Sequence, residues 1–171
     1  TGAAVCVGAG IDGSIWCCNS QQEIWRWNGT SWEKMAGNCV QIDAWSYDHA
    51  VCANAANELW EWRNNGWHRL PGAGVRISVG LGGEKWVVNQ AQQIWRWPAG
   101  GHGWQQIQGA ATSIHCHDPK HVVCANAGGE LWKWNGTGWS RLPGLGVHIA
   151  ITPGNLWTVN ANCDIWHASD N

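Results

Sequence analysis

The side chains with the most evident chemistry in this sequence are indoles. Trp27 and Trp32 stand on either side of Asn28-Gly-Thr-Ser31, and the arrangement recurs with Trp62 and Trp67, Trp97 and Trp104, and Trp134 and Trp139. A hairpin turn between the two members of a pair brings both rings to one corner of a sheet. An indole exposed there covers the apolar C–H face of a sugar ring, while polar neighbours orient the hydroxyls. Packing of the corner would use the same rings equally well. Asparagines recur too: Asn19, Asn54, Asn89, Asn126 and Asn160 each end a short apolar run. Their amides offer both donors and acceptors, which makes Asn54, Asn89 and Asn126 candidate partners for sugar hydroxyls. The more common use of such a residue is to close the turn through its own backbone.

Other constellations carry less. His115-Cys-His117-Asp118 with His121 is an untidy metal set, and polar turn residues explain it better, so neither a metal nor a cofactor is expected. Asn28-Gly-Thr30 and Asn135-Gly-Thr137 match the N-glycosylation sequon, but an Asn-Gly hairpin turn accounts for both. No nucleophile elbow, phosphate loop or paired carboxylates occur, and no enzyme activity is expected. The eight cysteines are even in number and lack zinc-ribbon spacing, which favours disulfides and an extracellular, oxidising setting. The start at Thr1, without an apolar leader, fits a processed secreted chain. Cys6 and Cys18 are the first candidates for a bridge, because a hairpin centred near Asp12 sets them opposite each other. Cys116 and Cys124 form a second same-blade couple that needs a register shifted by one residue pair.

These residues belong to a repeat. Glu23-Ile-Trp-Arg-Trp27, Glu58-Leu-Trp-Glu-Trp62, Gln93-Ile-Trp-Arg-Trp97, Glu130-Leu-Trp-Lys-Trp134 and Asp164-Ile-Trp-His-Ala168 align, with first tryptophans at Trp25, Trp60, Trp95, Trp132 and Trp166. Each unit holds four short alternating or β-branched runs separated by Gly, Asn or Pro, and no window sustains a helical period. Four short strands every 35 residues or so read as a propeller blade. The expected fold is therefore all-β: a five-bladed β-propeller of four-stranded antiparallel blades over residues 5–36, 40–71, 75–108, 112–143 and 147–168. Residues 1–171 would form one domain. The fifth unit runs out after its third strand, so the last blade lacks its outermost strand and exposes an edge suited to homo-oligomerisation. The five first tryptophans are expected in the packing between blades, since aromatic stripes usually serve packing.

Trp86-Val-Val-Asn89, the Ile-Trp-Arg-Trp-Asn-Gly-Thr-Ser-Trp32 stretch and Leu-Pro-Gly at 70–72 and 142–144 resemble the tectonin β-propeller repeat, and the resemblance runs along essentially the whole chain. Relatives of that kind include fish-egg lectins, a horseshoe-crab tachylectin and fungal lectins. The resemblance implies carbohydrate recognition, with lipopolysaccharide, GlcNAc and O-methylated sugars among the ligands, and a role in innate defence.

Composition agrees with a folded binding module. Of 171 residues 17 are Trp and 23 are Gly, and the net charge is −2, which leaves no basic footprint for nucleic acid. No apolar run is long enough to span a membrane as a helix. The expected function is a multivalent lectin binding glycans without catalysis, at blade corners or between blades. The alternative is a protein-interaction or structural scaffold with the tryptophan corners buried in an assembly.

Overall fold

The computed structural model describes residues 3–170, and these form an all-β chain with five antiparallel blades. Blade one comprises β1 (Cys6–Ala9), β2 (Ile15–Cys18), β3 (Glu23–Trp27) and β4 (Trp32–Asn38); blade two comprises β5 (Gln41–Ser46), β6 (His49–Ala53), β7 (Glu58–Arg63) and β8 (Gly66–Ala73). Blade three holds β9 (Arg76–Val79), β10 (Lys85–Val88), β11 (Gln93–Trp97) and β12 (Gln105–Ala110), and blade four holds β13 (Ser113–Asp118), β14 (His121–Ala125), β15 (Glu130–Trp134) and β16 (Trp139–Leu145). Blade five has three strands: β17 (His148–Thr152), β18 (Gly154–Val159) and β19 (Ile165–Asp170). Strands follow one another in chain order within every blade, as the repeat requires. No helix among the described residues is long and apolar enough to cross a membrane.

The chain divides into two compact units, residues 1–78 and 79–171. In the first, one face of blade one (Trp16, Cys18, Ile24) packs on Ile42, Ala50, Cys52 and Trp62 of blade two. The second unit repeats the arrangement: Trp86, Val88 and Ile94 of blade three pack on Ile114, Val122, Cys124 and Trp134 of blade four. Each interface is centred on three indoles. Trp16, Trp62 and Trp67 have ring centroids 5.5–5.9 Å apart, and Trp86, Trp134 and Trp139 have theirs 5.3–5.7 Å apart. Tilted and edge-on contacts at such distances suit the aromatic quadrupole.

First strands of adjacent blades approach so closely that some positions tolerate no side chain. A Cβ on Gly8 would lie 2.7 Å from the backbone of Asp43 and Ala44, and one on Gly80 would lie 2.5 Å from the His117 carbonyl. Side chains also stitch one first strand to the next. Cys6 Sγ accepts from Ile42 N–H at 3.4 Å, Gln41 Oε1 accepts from Ile77 N–H at 2.8 Å, and His115 Nδ1 accepts from Ile151 N–H at 3.1 Å.

Candidate functional site

Local sequence explains how the turns are held. Each repeated asparagine caps the turn before the third strand of its blade. Asn54 Oδ1 accepts from Glu58 N–H at 2.9 Å while its Nδ2 donates to the Glu58 carboxylate at 2.8 Å. Asn126 makes the same pair of bonds to Glu130, and Asn89 makes it to Gln93. Asn19 and Asn160 do likewise with Glu23 and Asp164. Both ends of every amide are thus engaged within the turn. At the hairpins of the sequons, Asn28 and Asn135 accept from the N–H of Thr30 and Thr137, closing tight Asx turns.

The outer strands leave their neighbours through a bulge. Glu23 pairs with Asn38 but Ile24 pairs with Met35, so Ala36 and Gly37 loop out, with Gly37 at φ 91°. Gln108 and Gly109 loop out in the same way between the partners of Gln93 and Ile94, with Gly109 at φ 129°. The bulge turns a carbonyl toward the next blade, where an indole meets it. Trp67 Nε1 donates to Ala36 O at 2.9 Å, and Trp139 Nε1 donates to Gln108 O at 3.0 Å.

Beside each of these bonds lies a cleft. The first, about 250 Å³, is lined by Ile24, Gly37, Asn38, Cys52, Asn54, Trp60 and Trp67. The second, about 210 Å³, is lined by the corresponding Ile94, Gly109, Ala110, Cys124, Asn126, Trp132 and Trp139. Both are small beside the roughly 300–1,000 Å³ of typical ligand pockets and hold room for a single ring rather than an extended ligand. Two half-buried indoles, an asparagine and an apolar floor face one another in each. The indole N–H of Trp60 and of Trp132 meets no acceptor among the described residues and can donate to a ligand. Burial pushes the Cys124 thiol up to about 12, so it sits in its cleft as a neutral group.

The tryptophans expected to act at corners therefore divide. Trp27 with Trp32 and Trp97 with Trp104 form corner pairs with centroids 5.5 and 5.4 Å apart, and Trp32 is exposed. Trp67 and Trp139 are half-buried and wall the clefts. Trp62 and Trp134 are not surface rings at all. They are 8% and 5% exposed, and their indole nitrogens are buried without acceptors in the centre of the aromatic triads. The first-tryptophan set departs from expectation in part. Trp60 and Trp132 are half-buried, packing against the inter-blade core on one side and lining the clefts on the other, and Trp166 is 60% exposed. The fully buried indoles are Trp16 and Trp86 on the second strands, which the repeat pattern did not single out. Their signal was available: blades one and three have Trp nine residues before the first repeat tryptophan, where blades two and four have Val51 and Val123.

Histidines and cysteines serve the scaffold. His115 bonds to the Ile151 backbone, and His121 Nδ1 lies 2.8 Å from Asp118 Oδ2. Burial holds the His117 pKa below the ordinary histidine value. Among the described residues no group of three or more His, Cys, Asp or Glu side chains is arranged to hold a metal ion. All eight cysteines are free thiols. Cys6 stands directly opposite Cys18, whereas Cys116 stands opposite Val122 and Cys124 opposite Ile114, so the second couple is out of register for a bridge. A hydrogen bond to Cys39, with burial, pushes the Cys18 thiol up to about 12.

Blades whose outer strand bulges toward an indole of the next blade recur through both units. Two overlapping matches to the Tectonin domain, over residues 1–137 and 38–171, together take in the whole chain. The chain belongs to the tectonin family. No curated protein sequence matches this tectonin chain. Solved structures share the fold at low identity. YCF48 bound to a D1 peptide is 14% identical with a TM-score of 0.64, covering 98% of this chain and 64% of its own. Human WBSCR16 is 17% identical with a TM-score of 0.70, covering 87% and 56%. A chain of the Nidogen/Laminin complex is 11% identical with a TM-score of 0.76, covering 97% and 75%. The tectonin chain spans 56–66% of the length of YCF48, of YCF48 from Cyanidioschyzon merolae and of WBSCR16.

Proposed function

We propose that this tectonin chain is a non-catalytic lectin whose glycan sites are the clefts between blades one and two and between blades three and four. The observation that carries the reading is the repetition of one lining in both units: two indoles, an asparagine at the turn, and an apolar floor. Trp60 and Trp132 supply an apolar ring face and a free N–H, and so replace Trp62 and Trp134 as the residues expected to touch sugar. Asn54 and Asn126 hold the turn beside the cleft: each amide oxygen already accepts from two backbone N–H groups and one amide N–H goes to the following glutamate, so the second amide N–H is the group left to donate to a hydroxyl. One ring contact and a few hydrogen bonds give weak binding per site, and two sites on one chain raise avidity on a dense glycan surface by roughly 10²-fold or more where spacing allows.

A glycan array probed with the labelled chain tests this. Saturable binding that free sugar competes away, and that is lost in the double variant Trp60→Ala, Trp132→Ala, supports the reading. An array with no bound class, under conditions where the chain is folded, refutes it and leaves the scaffold alternative.

A further inference from the structure

Four of the eight cysteines meet at one place, the face between blades one and two. Cys18 on β2, Cys39 in the link before β5 and Cys52 on β6 are buried in the core that these blades share, and the half-buried Cys6 on β1 packs against it. Their thiols are linked by hydrogen bonds in a row: Cys6 with Cys18, Cys18 with Cys39, and Cys39 with Cys52. Strand register sets the first contact, since Cys6 is paired directly with Cys18. The backbone of the link sets the others. Cys39 N–H donates to Gln22 O at 2.9 Å, and Val40 N–H donates to Ala53 O, beside Cys52, at 2.9 Å.

The second unit shows that packing does not demand sulfur at these places. Its link has the same backbone geometry, with Ala111 N–H donating to Gln92 O at 3.0 Å. Yet Arg76, Val88 and Ala111 stand where the first unit has Cys6, Cys18 and Cys39, and only Cys124 matches, at the place of Cys52. A single buried thiol behaves as a small apolar side chain, and Cys124 serves in that way. An unbroken row of four belongs to the chemistry of the first unit rather than to the blade.

We propose that the row is a disulfide-forming site that closes as two bridges, Cys6–Cys18 and Cys39–Cys52, with a small-molecule disulfide as oxidant entering at Cys6. The Cys6 thiolate attacks one sulfur of the oxidant and releases one small thiolate. Cys18 then displaces the other, and the protons of the two protein thiols leave on the two released thiols. Exchange carries the bridge inward: Cys39 attacks Cys18 and frees Cys6, then Cys52 attacks Cys39 and frees Cys18. The inner bridge thus forms where an oxidant has no direct access, for Cys39 and Cys52 are 0% and 2% exposed. A second oxidant molecule at Cys6 and Cys18 completes the outer bridge. This pairing consumes all four thiols, whereas a central Cys18–Cys39 bridge strands the two at the ends. Closure is slow near neutral pH. The hydrogen bond to Cys18, with burial, holds the Cys6 thiol well above its ordinary value, so little thiolate is present to attack. The inference stands apart from the lectin reading, since no step in it involves a sugar.

The test is oxidation of the full, folded chain with oxidised glutathione at mildly alkaline pH, quenched by alkylation and mapped by mass spectrometry of the unreduced digest. A Cys17→Val background removes the ambiguity beside Cys18, and Val87 at the equivalent place shows that a blade accepts it. Expected are both bridges, formed at a rate that rises about tenfold per pH unit as the thiolate fraction grows. Cys39→Ala, which copies Ala111, should keep Cys6–Cys18 and leave Cys52 a thiol. Cys6→Ser keeps an acceptor for the Ile42 N–H, and it should slow formation of Cys39–Cys52 at least about tenfold although both of those cysteines remain. Cooperative thermal unfolding of each variant shows that it is folded. A Cys18–Cys39 bridge as the end product overturns the proposal, as does an undiminished rate of Cys39–Cys52 formation in folded Cys6→Ser. Four thiols that persist through prolonged oxidation of the folded chain overturn it as well.

Discussion

The clefts on the two sides of blade four draw on the same repeat positions and differ in one strand. Between blades three and four, Trp139 closes the wall by bonding Gln108, and what remains is a shallow depression with two indoles. Among the described residues no such wall stands between blades four and five, where Trp166 is 60% exposed and Asp164 meets no basic side chain. The outer strand therefore decides whether a blade pair presents a ring-sized cleft or a strand-sized gap. The same contrast holds for the buried indoles. Trp86 is wholly enclosed by Trp134 and Trp139, whereas its counterpart Trp157 is 49% exposed with His167 as its ring neighbour at 4.4 Å.

The largest expected difference follows from that pair. Trp86→Ala opens a cavity in a closed interface and should cost about 3–5 kcal/mol in urea denaturation. Trp157→Ala should cost about 1 kcal/mol or less. Equal effects would mean that the two blade faces are equally packed. Gly80→Ala comes next: its Cβ would meet the His117 carbonyl, and displacement of packed backbone should cost roughly 1–3 kcal/mol by the same measurement. Trp67→Phe keeps a ring but removes the donor to Ala36, which should cost about 1 kcal/mol and loosen the cleft without unfolding the chain.

The smallest effect concerns acid. Burial raises the Asp118 pKa, but hydrogen bonds from Lys120 N–H and from His121 outweigh it and hold the carboxyl below its ordinary value. A depressed folded pKa gives stability that is present above the unfolded value of about 3.9 and is lost as pH falls through the folded one. Asp118→Asn should therefore flatten the decline in stability below about pH 4, read as the melting temperature along a pH series.

Much of the architecture was legible in the sequence because the repeat tryptophans keep a near-constant spacing, and Gly and Asn mark the turns between strands. The incomplete last blade was legible for the same reason. Which indole is core was not. Trp60 and Trp62 alternate with Leu59 and Glu61 and point to the same face, so strand pattern alone cannot rank them. The bulge at Gly37 and the indole of Trp16 on the neighbouring blade do so, by leaving Trp60 at the cleft and enclosing Trp62. Cys6 shows another limit. Its place opposite Cys18 follows from the hairpin, but its hydrogen bond to Ile42 depends on a blade more than thirty residues away.

The central claim is that sugar binds at Trp60 and Trp132. Ligand-observed NMR with the array-selected sugar, titrated against the wild type, Trp60→Ala, Trp132→Ala and the double variant, addresses it most directly. The account predicts that each single variant loses one class of site and that the double variant loses both, while thermal unfolding stays cooperative. Undiminished saturation transfer in the folded double variant would contradict it.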